Sequence, residues 1–224
     1  MTTIDPRAAA SNGVPETPAT REARALAAGE AVAALVRTMA EIRERCVWTT
    51  GIGHAELVPY LIEESYELVE AIESGTSDDV REELGDVLWQ AVFQGEVAVR
   101  DDSGFDLASV AEALNDKMIG RHPHVFGAET AASVADVERV WTAAKAAEKS
   151  ERRHPLEGIP AALPALALAA KAQSRLGTPP RPRLADDEEA IGQELWALVA
   201  RARAAGVDPE RALRERVRQA ASGV

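Results

Sequence analysis

Residues 57–93 read LVPYLIEESYELVEAIESGTSDDVREELGDVLWQAVF. In the first half, Val58, Leu61, Ile62, Val69 and Ile72 recur at helical spacing with Leu57 and Leu68 alongside, until Ser74 and Gly75 stop the pattern. A second helix runs through Val80, Leu84, Val87, Leu88, Ala91 and Val92 to about Val99. Ser77 is its expected cap, with Asp78 and Asp79 in the first turn, where the helix dipole favours negative charge. The turn at 74–77 has the length of a link between adjacent antiparallel helices. A helical hairpin is therefore the nucleus of the fold, and an all-α antiparallel bundle is the expected class.

Three more helices flank the hairpin before residue 150. Val32, Leu35, Val36, Met39 and Ile42 carry a helical period that ends before a loop at 49–53. A turn at 101–104 leads to a helix capped by Asp106 and ending near Gly120, and Ser133 with Asp136 makes a capping-box start for the next. Residues 1–25 are rich in Ala, Pro, Thr and Gly without a period, and read as a mobile leader to a catalytic domain over 26–150. Residues 151–224 read as a linker punctuated by Pro155, Pro160, Pro164 and the Pro-rich 178–182, with a short helix at about 163–176. A helical tail follows, at about 187–203 and, behind Asp208 and Pro209, 209–220. The tail echoes the hairpin, since Glu82-Glu83-Leu84-Gly85-Asp86-Val87-Leu88-Trp89 aligns with Glu189-Ala190-Ile191-Gly192-Gln193-Glu194-Leu195-Trp196. The acids at the Glu83 and Asp86 positions are absent, which suggests a degenerate second copy; chance likeness of two amphipathic helices reads equally well.

Composition narrows the classes of function. The net charge of −12 disfavours polymeric nucleic acid as a partner, while phosphate-bearing ligands stay open if a divalent cation mediates. The longest apolar stretch, 161–170, is too short to span a bilayer and contains Pro164. A single cysteine, Cys46, cannot form an internal disulfide, and the start of the chain lacks the basic-then-apolar pattern of a secretory signal. A cytoplasmic protein is the expectation.

Between Glu63 and Asp86 there are ten acidic residues and one basic residue, Arg81. A solvated helix face usually mixes signs, because like charges three or four residues apart repel. Glu64 and Glu67 lie three apart on the first hairpin helix, and Glu83 and Asp86 three apart on the second. On the second helix, Leu84, Leu88, Ala91 and Val92 are expected to line one face and Trp89 and Phe93 the other, which leaves Glu83 and Asp86 between apolar surfaces. Carboxylates crowded there need a cation, and oxygen-only ligands select a hard one, Mg2+ or Mn2+. The histidines, His54, His122, His124 and His154, fall in loops or at element ends, which disfavours a di-iron bundle site.

Glu63-Glu64-Ser65-Tyr66-Glu67 followed by Glu83-Leu84-Gly85-Asp86 resembles the signature of the MazG family of all-α nucleoside triphosphate pyrophosphatases. Pro59-Tyr60-Leu61-Ile62-Glu63-Glu64, Arg121-His122-Pro123-His124-Val125-Phe126-Gly127, and Trp141 with Lys145 four residues on are also similar to that family, so the likeness covers about 30–150. The resemblance implies that Glu64, Glu67, Glu83 and Asp86 hold magnesium. Glu63 is then a neighbouring base candidate, with Glu63 and Glu67 as the catalytic pair. Lys117, Arg121 and Lys145 would reach the phosphates and Trp141 would border the nucleotide. Taken alone, Lys117 and Arg121 share one side of a helix end and suit either phosphate or the helix dipole, and Trp141 suits a core. The loop after the first helix departs from the family pattern, with Val47-Trp48-Thr49 and Ile52-Gly53 where Pro-Trp-Asp and Gln-Thr are usual.

The resemblance implies Mg2+-dependent hydrolysis of a nucleoside triphosphate to its monophosphate and pyrophosphate, a housecleaning of the nucleotide pool. A relative acting on phosphoribosyl-ATP, dUTP or dCTP is a variant of that reading. A non-catalytic nucleotide-sensing or scaffold module, binding without turnover, is the alternative. Apolar residues on two sides of the hairpin helices predict a homodimer or higher homo-oligomer whose four-helix core is completed between chains.

Overall fold

The structure, a computed structural model, describes residues 17–148, 154, 156–176 and 188–221, and every described element is helical. In chain order these are α1 (Pro18–Arg45), α2 (Val47–Thr50), α3 (Val58–Ser74), α4 (Ser77–Arg100), α5 (Leu107–Arg121), α6 (Pro123–Phe126), α7 (Val134–Ala147), α8 (Ala165–Leu176), α9 (Glu188–Ala204) and α10 (Pro209–Ala221). They fall into two compact units divided near Lys145, α1–α7 in one and α8–α10 in the other. The expected leader residues 1–16, Pro155 and the Pro-rich 178–182 lie outside the described residues.

In the first unit the core forms where α1 crosses α4. Met39, Ile52, Leu57, Val92, Phe93 and Val97 are buried together, with Leu35, Val36, Trp89 and Leu107 against them. Gly95 admits α5 to this core, since a Cβ there would lie 3.0 Å from the Leu107 Cβ. The α3–α4 turn is equally tight: a Cβ on Gly75 would come within 2.8 Å of the Ala71 carbonyl oxygen. None of the described helices is long and apolar enough to cross a membrane.

Four expectations need correction. First, α1 begins at Pro18, so helix extends well into the stretch read as leader; Thr17 caps it, accepting from the Thr20 amide at 3.2 Å. Second, the loop at 47–53 contains the one-turn α2, held to the end of α1 by the Thr49 hydroxyl donating to the Ile42 carbonyl at 3.1 Å and the Thr50 hydroxyl to the Arg43 carbonyl at 3.2 Å.

Third, the cap of α4 is Thr76, not Ser77. Its hydroxyl accepts from the Asp79 amide at 3.3 Å while the Asp79 carboxylate accepts from the Thr76 amide at 2.6 Å, a reciprocal capping box. Fourth, of the apolar face expected on α4 only Val92 is buried; Leu84, Leu88 and Ala91 are exposed. Packing on Met39 and Leu57 turns Val92, Phe93 and Val97 inward, and the Leu84–Leu88–Ala91 stripe is left outside. The caps at Asp106, Ser133 with Asp136, and Asp208 form as expected.

The second unit is tied by polar contacts as well as small apolar residues. Gln173, buried on α8, donates to the Trp196 carbonyl at 2.6 Å, and the Glu210 carboxylate accepts from the Leu166 and Ala167 amides at 3.2 and 3.3 Å. On α9, Val199 is buried, Trp196 half-buried, and Ile191, Leu195 and Leu198 exposed. That in-and-out sequence matches the aligned positions of α4: Val92 buried, Trp89 half-buried, and Leu84, Leu88 and Ala91 exposed.

Candidate active site

The short turn after α3 sends α4 back along it, so the two acid pairs of the hairpin face one another. Ligand oxygens of Glu64, Glu83 and Asp86 all lie within 4.8 Å of one another. Glu64 and Glu83 are half-buried and Asp86 is exposed. Glu67 lies outside this trio but beside it, acting on Glu64 by charge and a side-chain hydrogen bond and on Glu83 by charge.

The crowding shows in the electrostatics. Partial burial, then the charges of Asp86 and Glu67, the hydrogen bond to Glu67 and the charge of Glu63 raise the Glu64 carboxyl above its ordinary range. Glu83 is raised in the same sense, by desolvation first and then by Glu67, Asp86, Glu82 and Asp79. The causes that lead in both are desolvation and neighbouring carboxylates. An all-oxygen donor set under mutual repulsion fits a hard divalent ion, which would relieve both the repulsion and the desolvation. Glu63 is exposed at the edge of this group, near enough for its charge to act on Glu64.

A second group forms where α5, α6 and α7 meet. Arg121 is buried with its guanidinium carbon 5.3 Å from the Trp141 ring centroid, and the His122 ring meets Trp141 edge-on at 4.9 Å. His122 Nδ1 is also 2.6 Å from the Met118 carbonyl oxygen, which occupies it structurally. Lys117 is exposed one turn before Arg121, and Lys145 half-buried one turn after Trp141. Each contact described here lies within one group or the other: the acids gather between α3 and α4, and Arg121 with Trp141 at the end of α5.

A model of the MazG nucleotide pyrophosphohydrolase domain matches residues 52–126, which contain the whole acid cluster. The nucleoside triphosphate pyrophosphohydrolase/pyrophosphatase MazG of Thermotoga maritima is 37% identical over 212 residues, covering 83% of this chain and 80% of that protein. The chain belongs to the MazG family. An uncharacterized 26.1 kDa protein of Streptomyces cacaoi is 47% identical over 184 residues, 80% of this chain and 75% of that one. The nucleoside triphosphate pyrophosphohydrolase of Escherichia coli K12 is 38% identical over 132 residues, 58% of this chain and 50% of its own length. Within this MazG chain the likeness to the Thermotoga protein extends well past the acid-bearing hairpin, since it takes in 83% of the sequence.

Sequence reasoning missed one residue that shapes the site. Arg43 is buried on α1 with its guanidinium carbon 5.2 Å from the Phe93 centroid, and donates from Nη1 to the carbonyls of Thr49 and Ile52 at 2.9 and 3.0 Å. It fixes the path of the chain into α3. An arginine near a helix end reads as solvent-facing, and only the crossing with α4 reveals its role.

Proposed function

We propose that this MazG-family chain hydrolyses nucleoside triphosphates to the monophosphate and pyrophosphate with the help of Mg2+, Mn2+ being an acceptable substitute. The observation that carries the reading is the approach of Glu64, Glu83 and Asp86 to within 4.8 Å, with Glu64 and Glu83 raised by desolvation and by neighbouring carboxylates. Glu64, Glu67, Glu83 and Asp86 would hold the metal, which when bound polarises phosphate oxygens and lowers the pKa of a coordinated water. Glu63 or Glu67 would take the proton of the attacking water, being carboxylates adjacent to the ligands. Lys117, Arg121 and Lys145 would balance the charge of the departing pyrophosphate. Trp141 would border the nucleotide while holding Arg121 in place through the ring face.

The exposed Leu84–Leu88–Ala91 stripe supports a homodimer in which a second hairpin covers α4. A free thiol at Cys46 suits a cytoplasmic setting. The catalytic domain is then the α1–α7 unit, and α8–α10 a degenerate second copy, supported by the shared in-and-out sequence of α4 and α9.

Incubating the protein with a panel of NTPs, dNTPs and modified nucleotides, then separating the products by anion exchange, tests the activity. Monophosphate and pyrophosphate that vanish in EDTA are the expected result. A protein that binds nucleotide without turnover would replace this reading with a nucleotide sensor.

A further inference from the structure

The motif Arg121-His122-Pro123-His124-Val125-Phe126-Gly127 contains a side chain that the proposed chemistry does not use, although its geometry is closely specified. His122 is the joint between α5 and α6. Its amide bonds back to the Ile119 carbonyl at 3.1 Å, passing over the Met118 carbonyl that an uninterrupted α-helix would have engaged. The His122 ring takes up that carbonyl instead, Nδ1 lying 2.6 Å from the oxygen. A carbonyl only accepts, so Nδ1 carries the proton, and the ring is fixed in tautomer and in direction. The far side of the joint is equally set. The His122 carbonyl accepts from the Val125 and Phe126 amides at 2.9 and 3.0 Å, and a Cβ on Gly127 would lie 2.9 Å from the Pro123 carbonyl oxygen.

The ring so fixed meets Trp141 of α7 edge-on, with the planes at 68°, and the preceding residue sets its guanidinium over the same indole. Two consecutive residues therefore grip Trp141. No Cα of α7 lies within 8 Å of one in α1–α6, so the docking of α7 falls to side chains, among them the buried Val140 and Trp141. Lys145 follows Trp141 by four residues and stands on the same side of α7. Seating the indole against His122 thus seats Lys145 as well, and gives the Arg121 guanidinium the ring face on which it rests.

We propose that His122 is a positioning residue: acting through Trp141, it docks α7 on the end of α5 and so sets where Lys145 and Arg121 stand. The docking is independent of any ligand, whereas its consequence for phosphate rests on the role given above to Arg121 and Lys145. A bare helix-end cap is the rival account of the same ring. The two differ in what replaces the imidazole. An asparagine amide can donate to the Met118 carbonyl and would serve as a cap, but it has no ring to set against the indole.

Two measurements on the full chain test it. Amide hydrogen exchange reads the docking without ligand: His122→Ala and His122→Asn should both speed exchange in α7 about tenfold and leave α3 and α4 at the wild-type rate. Calorimetric titration with tripolyphosphate in saturating Mg2+ reads the consequence. Both variants should bind it about tenfold more weakly or worse, while Mg2+ alone binds as to the wild type. Trp141→Ala should have the same two effects, and adding His122→Ala to it should change neither further, because His122 acts through the indole. The proposal is overturned by wild-type exchange of α7 in His122→Ala, by rescue of that exchange in His122→Asn, by acceleration spread equally over α3 and α4, or by full additivity with Trp141→Ala. A wild type that binds Mg2+ but no tripolyphosphate refutes the phosphate role of the cations instead, and the exchange rates of the same variants then decide on His122.

Discussion

Glu64 on α3 and Asp86 on α4 bring ligand oxygens within 4.8 Å of one another across the hairpin, although each is a carboxylate and Glu83 shares the same space. Such crowding of carboxylates is relieved by a proton or by a cation. Glu64→Gln and Asp86→Asn should each lower Mg2+-dependent turnover on the order of 100-fold or more, while helix content by circular dichroism stays at the wild-type value. Either variant retaining wild-type kcat/KM removes that residue from the metal site.

The raised carboxyls of Glu64 and Glu83 set a pH dependence whose sign is fixed. A carboxyl with a higher pKa folded than unfolded binds more protons when folded. Its contribution is therefore fully present below the ordinary glutamate pKa of about 4.3 and is lost as pH rises through the higher folded value. In EDTA at pH 7, Glu83→Gln is expected to melt above the wild type, with the gap closing as pH falls toward about 4. Saturating Mg2+ at pH 7 should raise the wild type and not the variant.

Thr76 and Asp79 hold the start of α4 through their reciprocal bonds. Thr76→Ala should cost about 1 kcal/mol in urea unfolding. Hydrogen bonds from the Thr76 amide and hydroxyl keep the Asp79 carboxyl below its ordinary range, so its contribution is present above the unfolded aspartate pKa and is lost as acid takes the pH through the lower folded one. The deficit of the Thr76→Ala variant should accordingly shrink in acid.

Arg43→Met removes the donor to two carbonyls and the cation over Phe93 while keeping most of the volume. A loss of about 2–4 kcal/mol in denaturant unfolding is expected, because buried acceptors are left without a partner. The loop carrying α2 should loosen with it, read as faster amide exchange at residues 49–53. A variant as stable as the wild type would mean that water replaces the guanidinium.

The Leu84–Leu88–Ala91 stripe predicts self-association. Light scattering at micromolar concentration should give at least twice the chain mass, and Leu84→Glu with Leu88→Glu should give the monomer. A wild type that is monomeric there rules out the dimer.

The hairpin and its acids were legible in the sequence because two signals coincide there, a helical apolar period and a run of like charge that solvent alone does not explain. Caps at Asp106, Ser133 and Asp208 were legible for the same local reason. Thr76 and Ser77 are both good caps, and the carboxylate that decides between them, Asp79, stands three residues from Thr76 and two from Ser77. The first half of α1 escaped because it is exposed almost throughout, so Ala, Glu and Arg make the helix by propensity and leave no period to find. On α4 two apolar stripes compete, and only the partners Met39 and Leu57, distant in sequence, choose the inner one.

Ala190 is 1% exposed at the position of α9 that aligns with the half-buried Glu83 of α4. Where one helix keeps a carboxylate raised by desolvation and by its acidic neighbours, the other has a methyl group that is comfortable in any medium. On the proposed metal reading the two halves of the chain would answer differently to their surroundings: starving the protein of divalent ions would strain the α3–α4 half and leave the α8–α10 half indifferent. The second half would then be constrained only by its small buried contacts, while the first would be tied to the supply of a metal.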